Sequence, residues 1–295
     1  MKIKTLLIGE IHPYSKKLLE ERTDLKQISN EQFQEQNFPE IEAVILRTFT
    51  KLGKKELAKL PKLKYVVSCS VGIDNLDLEE LQKRKIEVIC CQGTNANSVA
   101  EHTIYLMFSV MREDPQRPFF EIKNKTIGIL GFGAIGKLVA RKLIGLEANI
   151  IAFDVIPQDP KVLEELKVEM KSIEEVLQQA DLITIHIPLN KHTEKLINEK
   201  LLRLTKEKSF LLNTSRAEVI DEDILLKLIK EGKFRGVGLD VYSEKLKEEL
   251  NKLKKNNIIL TEHLAAQGED SFNNMCQEPI KLFLDKLIHE DKIKI

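Results

Sequence analysis

The sequence predicts an α/β protein built on parallel sheets with helices on both faces. Three observations carry this. Short apolar runs alternate with amphipathic stretches along the chain, the pattern of repeated β-α units. One of these units is punctuated by Gly131, Gly133 and Gly136 at G-x-G-x-x-G spacing. The 295 residues contain no solenoid-period repeat and no low-complexity segment, and suffice for two domains with cores of their own.

In chain order, the first third predicts strands over 5–8, 43–46, 65–70 and 87–91, with helices over 14–21, 54–60 and 78–83 between them. Residues 97–112 are apolar almost all round. They predict a long buried helix, opened by a capping box at Ser98-Val99-Ala100-Glu101. Strands follow over 126–130 and 149–153, the second ending on Asp154, with the glycine turn and a helix over 137–145 between them. Later strands are expected over 182–187, 210–213, 236–239 and 258–260. The helices between them are 172–180, opened by a Ser172/Glu175 box, then 199–204 and 222–231. The charge-rich stretch 243–255 reads as a solvated loop with a short helix. The tail 271–290 gathers Phe272, Met275, Ile280, Phe283, Leu284 and Leu287 near one face, an amphipathic helix able to pack back on the first domain.

Composition narrows the function. Forty-six basic residues balance 46 acidic ones, so no positive field points to nucleic acid or an anionic membrane. The apolar run at the amino terminus is too short for a signal peptide, and no stretch approaches transmembrane length. Cys69, Cys90, Cys91 and Cys276 form no C-x-x-C pair; they read as structural thiols of a reducing cytoplasm, and no metal is expected.

The glycine turn carries the first chemical signal. Strand, turn, helix, strand and acid follow one another. Gly131 permits the tight turn, Gly133 leaves room for a pyrophosphate, and Gly136 lets the helix approach the strand. The helix start, with Ala134 and Ile135, offers free N–H groups and a partial positive charge to phosphates. Asp154 lies 18 residues past Gly136, placed to accept bonds from ribose hydroxyls and to repel a 2′-phosphate. Neither Val155 nor Ile156 is basic, so the reading is NAD rather than NADP.

Three further elements follow strand ends, where open α/β sheets hold their ligands. His186 ends one strand and is either structural or part of the site. Arg216, in Asn213-Thr214-Ser215-Arg216, has the planar fork that suits a carboxylate, or else makes a surface ion pair. His263, past 258–260, titrates near neutrality and suits proton exchange with a hydroxyl, or else is a capping histidine.

With these residues in place, the chain resembles the NAD-dependent D-isomer-specific 2-hydroxyacid dehydrogenases. The likeness runs through Arg47-Thr48-Phe49-Thr50-Lys51, Val71-Gly72-Ile73-Asp74-Asn75-Leu76-Asp77, Asn95-Ala96-Asn97-Ser98-Val99-Ala100-Glu101-His102, the glycine turn, His186-Ile187-Pro188-Leu189, Asn213-Thr214-Ser215-Arg216, Gly238-Leu239-Asp240-Val241 and His263. It implies two Rossmann-like, doubly wound domains. A discontinuous substrate domain, 1–96 plus 268–295, encloses a contiguous NAD domain, 97–267, with the active site in their cleft. It implies that Arg216 binds the substrate carboxylate and polarises its 2-oxygen, and that His263 is the acid–base. The loop Ser70-Val71-Gly72 would hold the carboxylate, and Arg47 would reach a phosphate or second anionic group. His186, Pro188, Thr193, Thr214, Ser215 and Asp240 would line the cofactor pocket. A homodimer is expected from the same likeness, and a phosphorylated substrate such as 3-phosphoglycerate is favoured by Arg47.

The sequence departs from the family at three places. The position of the glutamate that orients the catalytic histidine holds Lys245. Glu244, one residue away, is the expected substitute, and Glu262 is a second candidate. The connector 113–124 is short, as in erythronate-4-phosphate dehydrogenases. Ser70 stands where relatives often carry glycine. Lys245 also motivates an alternative: a non-catalytic NAD(H)-responsive binding protein of the corepressor type.

Overall fold

The computed structural model describes residues 2–91, 93–112, 118–253 and 257–290. The chain divides into two compact units, Met1–Asn95 with Gly268–Ile295, and Ala96–Gln267.

The first unit runs β1 (Lys4–Ile8), α1 (Pro13–Arg22), β2 (Asp24–Ile28), α2 (Asn30–Glu35), β3 (Ala43–Leu46), α3 (Lys54–Ala58), β4 (Tyr65–Ser68), α4 (Leu78–Lys83) and β5 (Glu87–Cys90). Its five parallel strands lie in the order β2-β1-β3-β4-β5. Strands β3 and β4 are buried at every residue, because helices cover both faces. Strand β2 and helix α2 escape the sequence reading. Asp24-Leu25-Lys26-Gln27-Ile28 is a mostly polar edge strand with no apolar run to betray it. Helix α2 is opened by a capping box in which Ser29 and Gln32 satisfy each other's backbone N–H.

The second unit begins with α5 (Ala96–Arg112), then β6 (Thr126–Leu130), α6 (Ala134–Ile144), β7 (Asn149–Phe153), α7 (Pro160–Leu166), β8 (Val168–Met170) and α8 (Ile173–Gln179). It continues with β9 (Leu182–Ile185), α9 (Glu199–Leu204), β10 (Phe210–Asn213), a 3-10 turn at Ala217–Val219, α10 (Glu222–Glu231), β11 (Gly236–Leu239), α11 (Glu244–Leu253) and β12 (Ile258–Leu260). Seven parallel strands lie in the order β12-β11-β10-β9-β6-β7-β8. Strand order reverses between β9 and β6, and such a switch point opens a crevice at the carboxyl ends of the strands. Each face has its own core. One is built from α8, α9, α10 and α11, the other from α5, α6 and α7. The stretch from 243 is not mostly loop: α11 buries Leu246 and Leu250 and turns its charges outward.

The chain then returns to the first unit as α12 (Glu269–His289), which packs Cys276, Ile280, Phe283, Leu284 and Leu287 with Leu7, Leu19, Ile45 and Val67. Ser98 does not cap α5, which starts at Ala96. Ser98 sits inside the helix, and its Oγ donates to the Ala265 carbonyl at 2.7 Å. No described helix is long and apolar enough to cross a membrane.

Candidate active site

Because all seven strands are parallel, the loops after β12, β11, β10, β9, β6 and β7 open on one edge of the sheet, in that order. Along it stand His263, Asp240, Thr214 with Arg216, His186, Gly131 and Asp154. From β7 to β11 is four strand spacings, about 19 Å at ~4.8 Å per strand, an elongated edge suited to a dinucleotide.

At the glycine turn, Gly131 adopts φ +94°, and a Cβ there would meet the His186 carbonyl at 2.8 Å. A Cβ on Gly136 would stand 2.3 Å from the Gly131 oxygen, so its absence lets α6 seat against the turn. A Cβ on Gly133 would meet nothing within 4 Å. That open space faces the start of α6, where Ala134 and Ile135 belong to the first turn with its unpaired N–H groups. Asp154 closes the turn from β7: Oδ2 accepts the Phe132 N–H at 2.6 Å and Oδ1 accepts the Ile156 N–H at 2.9 Å. Each oxygen keeps a lone pair for a hydroxyl. Val155 and Ile156 are both exposed beside it. These features fit an adenine dinucleotide.

In the middle of the edge, the His186 ring bonds Thr184 Oγ1 at 3.0 Å and Thr214 Oγ1 at 3.3 Å, and Thr214 meets Thr103 Oγ1 at 3.2 Å. Burial pushes the His186 pKa down to about 3, so the ring is neutral at physiological pH and exchanges no proton. Pro188 accepts from Thr193 Oγ1 through its carbonyl at 2.6 Å, which pins that loop. Ser215 is held by Asn213 Oδ1, which accepts its N–H and its hydroxyl. The Asn213 amide donates to the Arg216 carbonyl, and the Arg216 guanidinium donates to the Ser215 carbonyl at 2.8 Å, so the half-buried arginine is braced by its own loop.

Asp240 is the hub of the remaining loops. Its Oδ1 accepts from Thr261 Oγ1 at 2.6 Å and from the Leu264 N–H at 2.8 Å, with His102 Nε2 at 3.3 Å; Oδ2 accepts the Ala265 N–H at 3.1 Å. Burial opposes its ionisation, but these bonds, led by His102, outweigh it and hold the carboxyl below its ordinary value. His263 lies between Thr261 and Leu264 at φ +53°, a left-handed conformation uncommon for a non-glycine residue. Its N–H donates to the Asp240 and Thr261 carbonyls, each at 3.0 Å. Asp240 therefore fixes the backbone on both sides of an exposed imidazole. His102 and Thr261 were not singled out from sequence. No pattern of its own marks His102, which is one of several polar residues along α5.

A family model, D-isomer specific 2-hydroxyacid dehydrogenase, NAD binding domain, matches residues 95–265. This chain belongs to that family. Among its relatives, glyoxylate reductase of Thermococcus litoralis is 33% identical over 261 residues, 81% of this chain and 78% of that protein. D-3-phosphoglycerate dehydrogenase of Methanocaldococcus jannaschii is 31% identical over 91% of this chain, which spans only 54% of the relative. The solved D-lactate dehydrogenase of Aquifex aeolicus, complexed with NAD and lactic acid, superposes with a TM-score of 0.87 at 25% identity, covering 98% of this chain and 96% of that one. The protein is an NAD-dependent 2-hydroxyacid oxidoreductase of the D-isomer-specific family, and the corepressor alternative finds no support among these relatives.

Against the family pattern, the expected substitute glutamate is not in place. Glu244 opens α11 with its side chain 81% exposed, 4.0 Å from Lys247. Glu262 pairs with the same lysine at 2.8 Å, and Lys245 points to Asp223 at 2.7 Å. Among the described residues no carboxylate bonds the His263 ring. The physical reason is local: one turn into α11, Lys247 draws both carboxylates to itself.

In the first unit, Ser70 Oγ accepts the Thr48 N–H at 3.0 Å, tying the loop 70–72 to the Arg47 loop. Ser70 lies outside the left-handed region, so serine is tolerated there. Val71 and Gly72 are half-buried in the bend after β4. Arg47 stacks over Phe272 at 4.8 Å and Phe49 at 5.6 Å, and its Nε is buried without a hydrogen-bond partner among the described residues. Of the short connector, residues 113–117 lie outside the described residues. Its remainder packs on the second unit through Phe120 against Phe210 and the Pro118 carbonyl bonded by Arg235.

Proposed function

We propose that this chain interconverts a small 2-oxo acid and its D-2-hydroxy acid through the residues aligned on the carboxyl edge of the second unit. The carrying observation is the alignment itself: Arg216 after β10, Asp240 after β11 and His263 after β12, beside the glycine turn. NAD, when bound, supplies or takes the hydride at C2. Gly133 and the start of α6 receive its pyrophosphate, Asp154 its adenosine ribose, and the loops of His186, Pro188, Thr193, Thr214, Ser215 and Asp240 the remainder. The Arg216 fork binds the substrate carboxylate and draws electron density from the 2-oxygen. His263 gives a proton to that oxygen during reduction and takes it back during oxidation. The backbone of Ser70, Val71 and Gly72 holds the carboxylate. Arg47, with an unsatisfied Nε, takes a second anionic group where the substrate has one, as 3-phosphoglycerate does.

The test is NADH consumption against glyoxylate, pyruvate, hydroxypyruvate and phosphohydroxypyruvate. Turnover with at least one is expected. Arg216→Ala is expected to lose about 10²-fold or more in kcat/KM, the scale for removing one preorganised charge-stabilising donor, while keeping its NADH affinity. Bound NADH with no turnover on any of the four would overturn the assignment.

A homodimer and a cytoplasmic setting complete the proposal. The exposed rings of Tyr105 and Phe119 on the second unit suit a partner copy, and four free cysteines suit a reducing compartment. A monomeric mass by light scattering at assay concentration would remove the dimer.

A further inference from the structure

Two thiols of the first unit meet where the proposed chemistry has no use for them. Cys69 is the residue immediately after β4, and Cys276 lies on α12. Both are fully buried, both are free, and both belong to one apolar cluster. The Cys69 sulfur lies 4.0 Å from the Cys276 carbonyl oxygen, and the two thiols are near enough to shift each other's ionisation. Arg47 is anchored over Phe272 on the same helix.

We propose that Cys69 and Cys276 form an oxidisable dithiol site whose reactant is a small peroxide, with Cys276 as the attacking sulfur and Cys69 as the resolving one. The Cys276 sulfur attacks one peroxide oxygen and the O–O bond breaks. The departing hydroxide combines with the thiol proton as water, leaving a sulfenic acid. Cys69 sulfur then attacks that sulfur and the S–O bond breaks. The second oxygen leaves as water with the Cys69 proton. Two thiols and one peroxide become one disulfide and two waters, the thiols losing two electrons to the peroxide.

Proximity selects this pair among the four cysteines, and charge selects the attacking sulfur. Hydrogen bonding from Cys69, with the His12 N–H and Arg47 in support, lowers the Cys276 thiol below its ordinary value despite burial. Donation to Cys276 and burial raise Cys69. Burial raises Cys90, and burial followed by the charge of Glu278 raises Cys91, so those two stay protonated. The closed disulfide ties α12 to the residue before Ser70-Val71-Gly72. A higher KM for the 2-oxo acid in the oxidised protein is therefore expected, and that consequence alone rests on the proposed function.

The test reads the bond itself. Fully reduced protein is treated with hydrogen peroxide, denatured, alkylated and mapped by mass spectrometry. Two of four thiols are expected to be lost to alkylation, with a Cys69–Cys276 cross-linked peptide that dithiothreitol removes. Cys69→Ser is expected to leave Cys276 as a sulfenic acid that dimedone labels, and Cys276→Ser to leave three alkylatable thiols. Four intact thiols, a Cys90–Cys91 link, or sulfinic acid at Cys276 of the wild-type chain would each overturn the proposal. The wild-type map decides the matter even where a variant fails to fold, and it is independent of turnover.

Discussion

Gly133→Ala separates a nucleotide-binding turn from one whose glycines serve packing alone. The backbone at Gly133 is extended, at φ −78° and ψ −155°, a conformation alanine adopts freely. The added methyl would meet no atom within 4 Å. Alanine is a poorer N-cap than the glycine it replaces, by about 0.5–1.5 kcal/mol, and the stiffer unfolded chain returns about 0.4–1 kcal/mol, so stability is expected to stay within about 1 kcal/mol of wild type. The same methyl occupies the space assigned to the pyrophosphate. Overpacking there is expected to cost about 1–3 kcal/mol of binding, roughly 5- to 150-fold in Kd. Gly136→Ala behaves oppositely. Its Cβ would lie 2.3 Å from the Gly131 carbonyl oxygen, a backbone atom that yields only if α6 moves off the turn. A cost of about 1–3 kcal/mol lowers the melting temperature by roughly 2–12 °C at this domain size. The assay is NADH fluorescence titration beside thermal unfolding of both variants. Wild-type NADH affinity in Gly133→Ala would refute the reasoning and leave the turn a packing device.

Asp240→Asn is expected to lose about 1.5–3 kcal/mol at pH 7, since the N–H groups of Leu264 and Ala265 lose a charged acceptor. The wild-type carboxyl is held below its ordinary value, so its contribution is full above the unfolded pKa and fades as pH falls. Urea midpoints at pH 7 and pH 3 should converge, and a gap constant with pH would refute this. His186 carries the same sign for a different reason. Its folded pKa of about 3 lies below the unfolded value near 6.5, so the native state resists protonation, and stability falls with pH between those values by up to about 1.4 kcal/mol per unit. His186→Gln should flatten that slope in urea titrations from pH 7 to pH 4; an unchanged slope would show that His186 is not its source. Glu244→Gln and Glu262→Gln should each keep kcat within about two-fold of wild type, the scale of exposed substitutions, because both carboxylates answer to Lys247. A shifted pH–rate profile in either variant would identify the group that does reach His263.

Most of the fold was legible because its strands are buried on both faces and read as unbroken apolar runs. β3, β6, β7, β10, β11 and β12 coincide with the sequence reading to the residue. What escaped is what such runs cannot announce: the polar edge strand β2, the three-residue β8, the capping-box helix α2 and the short, charged helix α7. The Ser98 box misled because S-x-x-E spacing is satisfied equally by a serine inside a helix whose hydroxyl is spent on Ala265. The candidate site divides the same way. Glycines, strand-end residues and their order announce where a nucleotide and an acid can lie, because strand ends inherit their positions from the sheet. The bonds that aim the groups do not show in the chain, since Asp240 collects partners from α5 and from the loop beyond β12, over a hundred residues apart. Nor does the fate of Glu244: a one-residue shift in a loop looks harmless in sequence, but α11 begins at that residue, and a helix start fixes direction. With no carboxylate on its ring among the described residues, His263 is oriented from its backbone, by the left-handed turn and the Asp240 bonds around it. A backbone restraint sets where the imidazole stands, so Asp240→Asn, which loosens that turn, should lower kcat as well as stability.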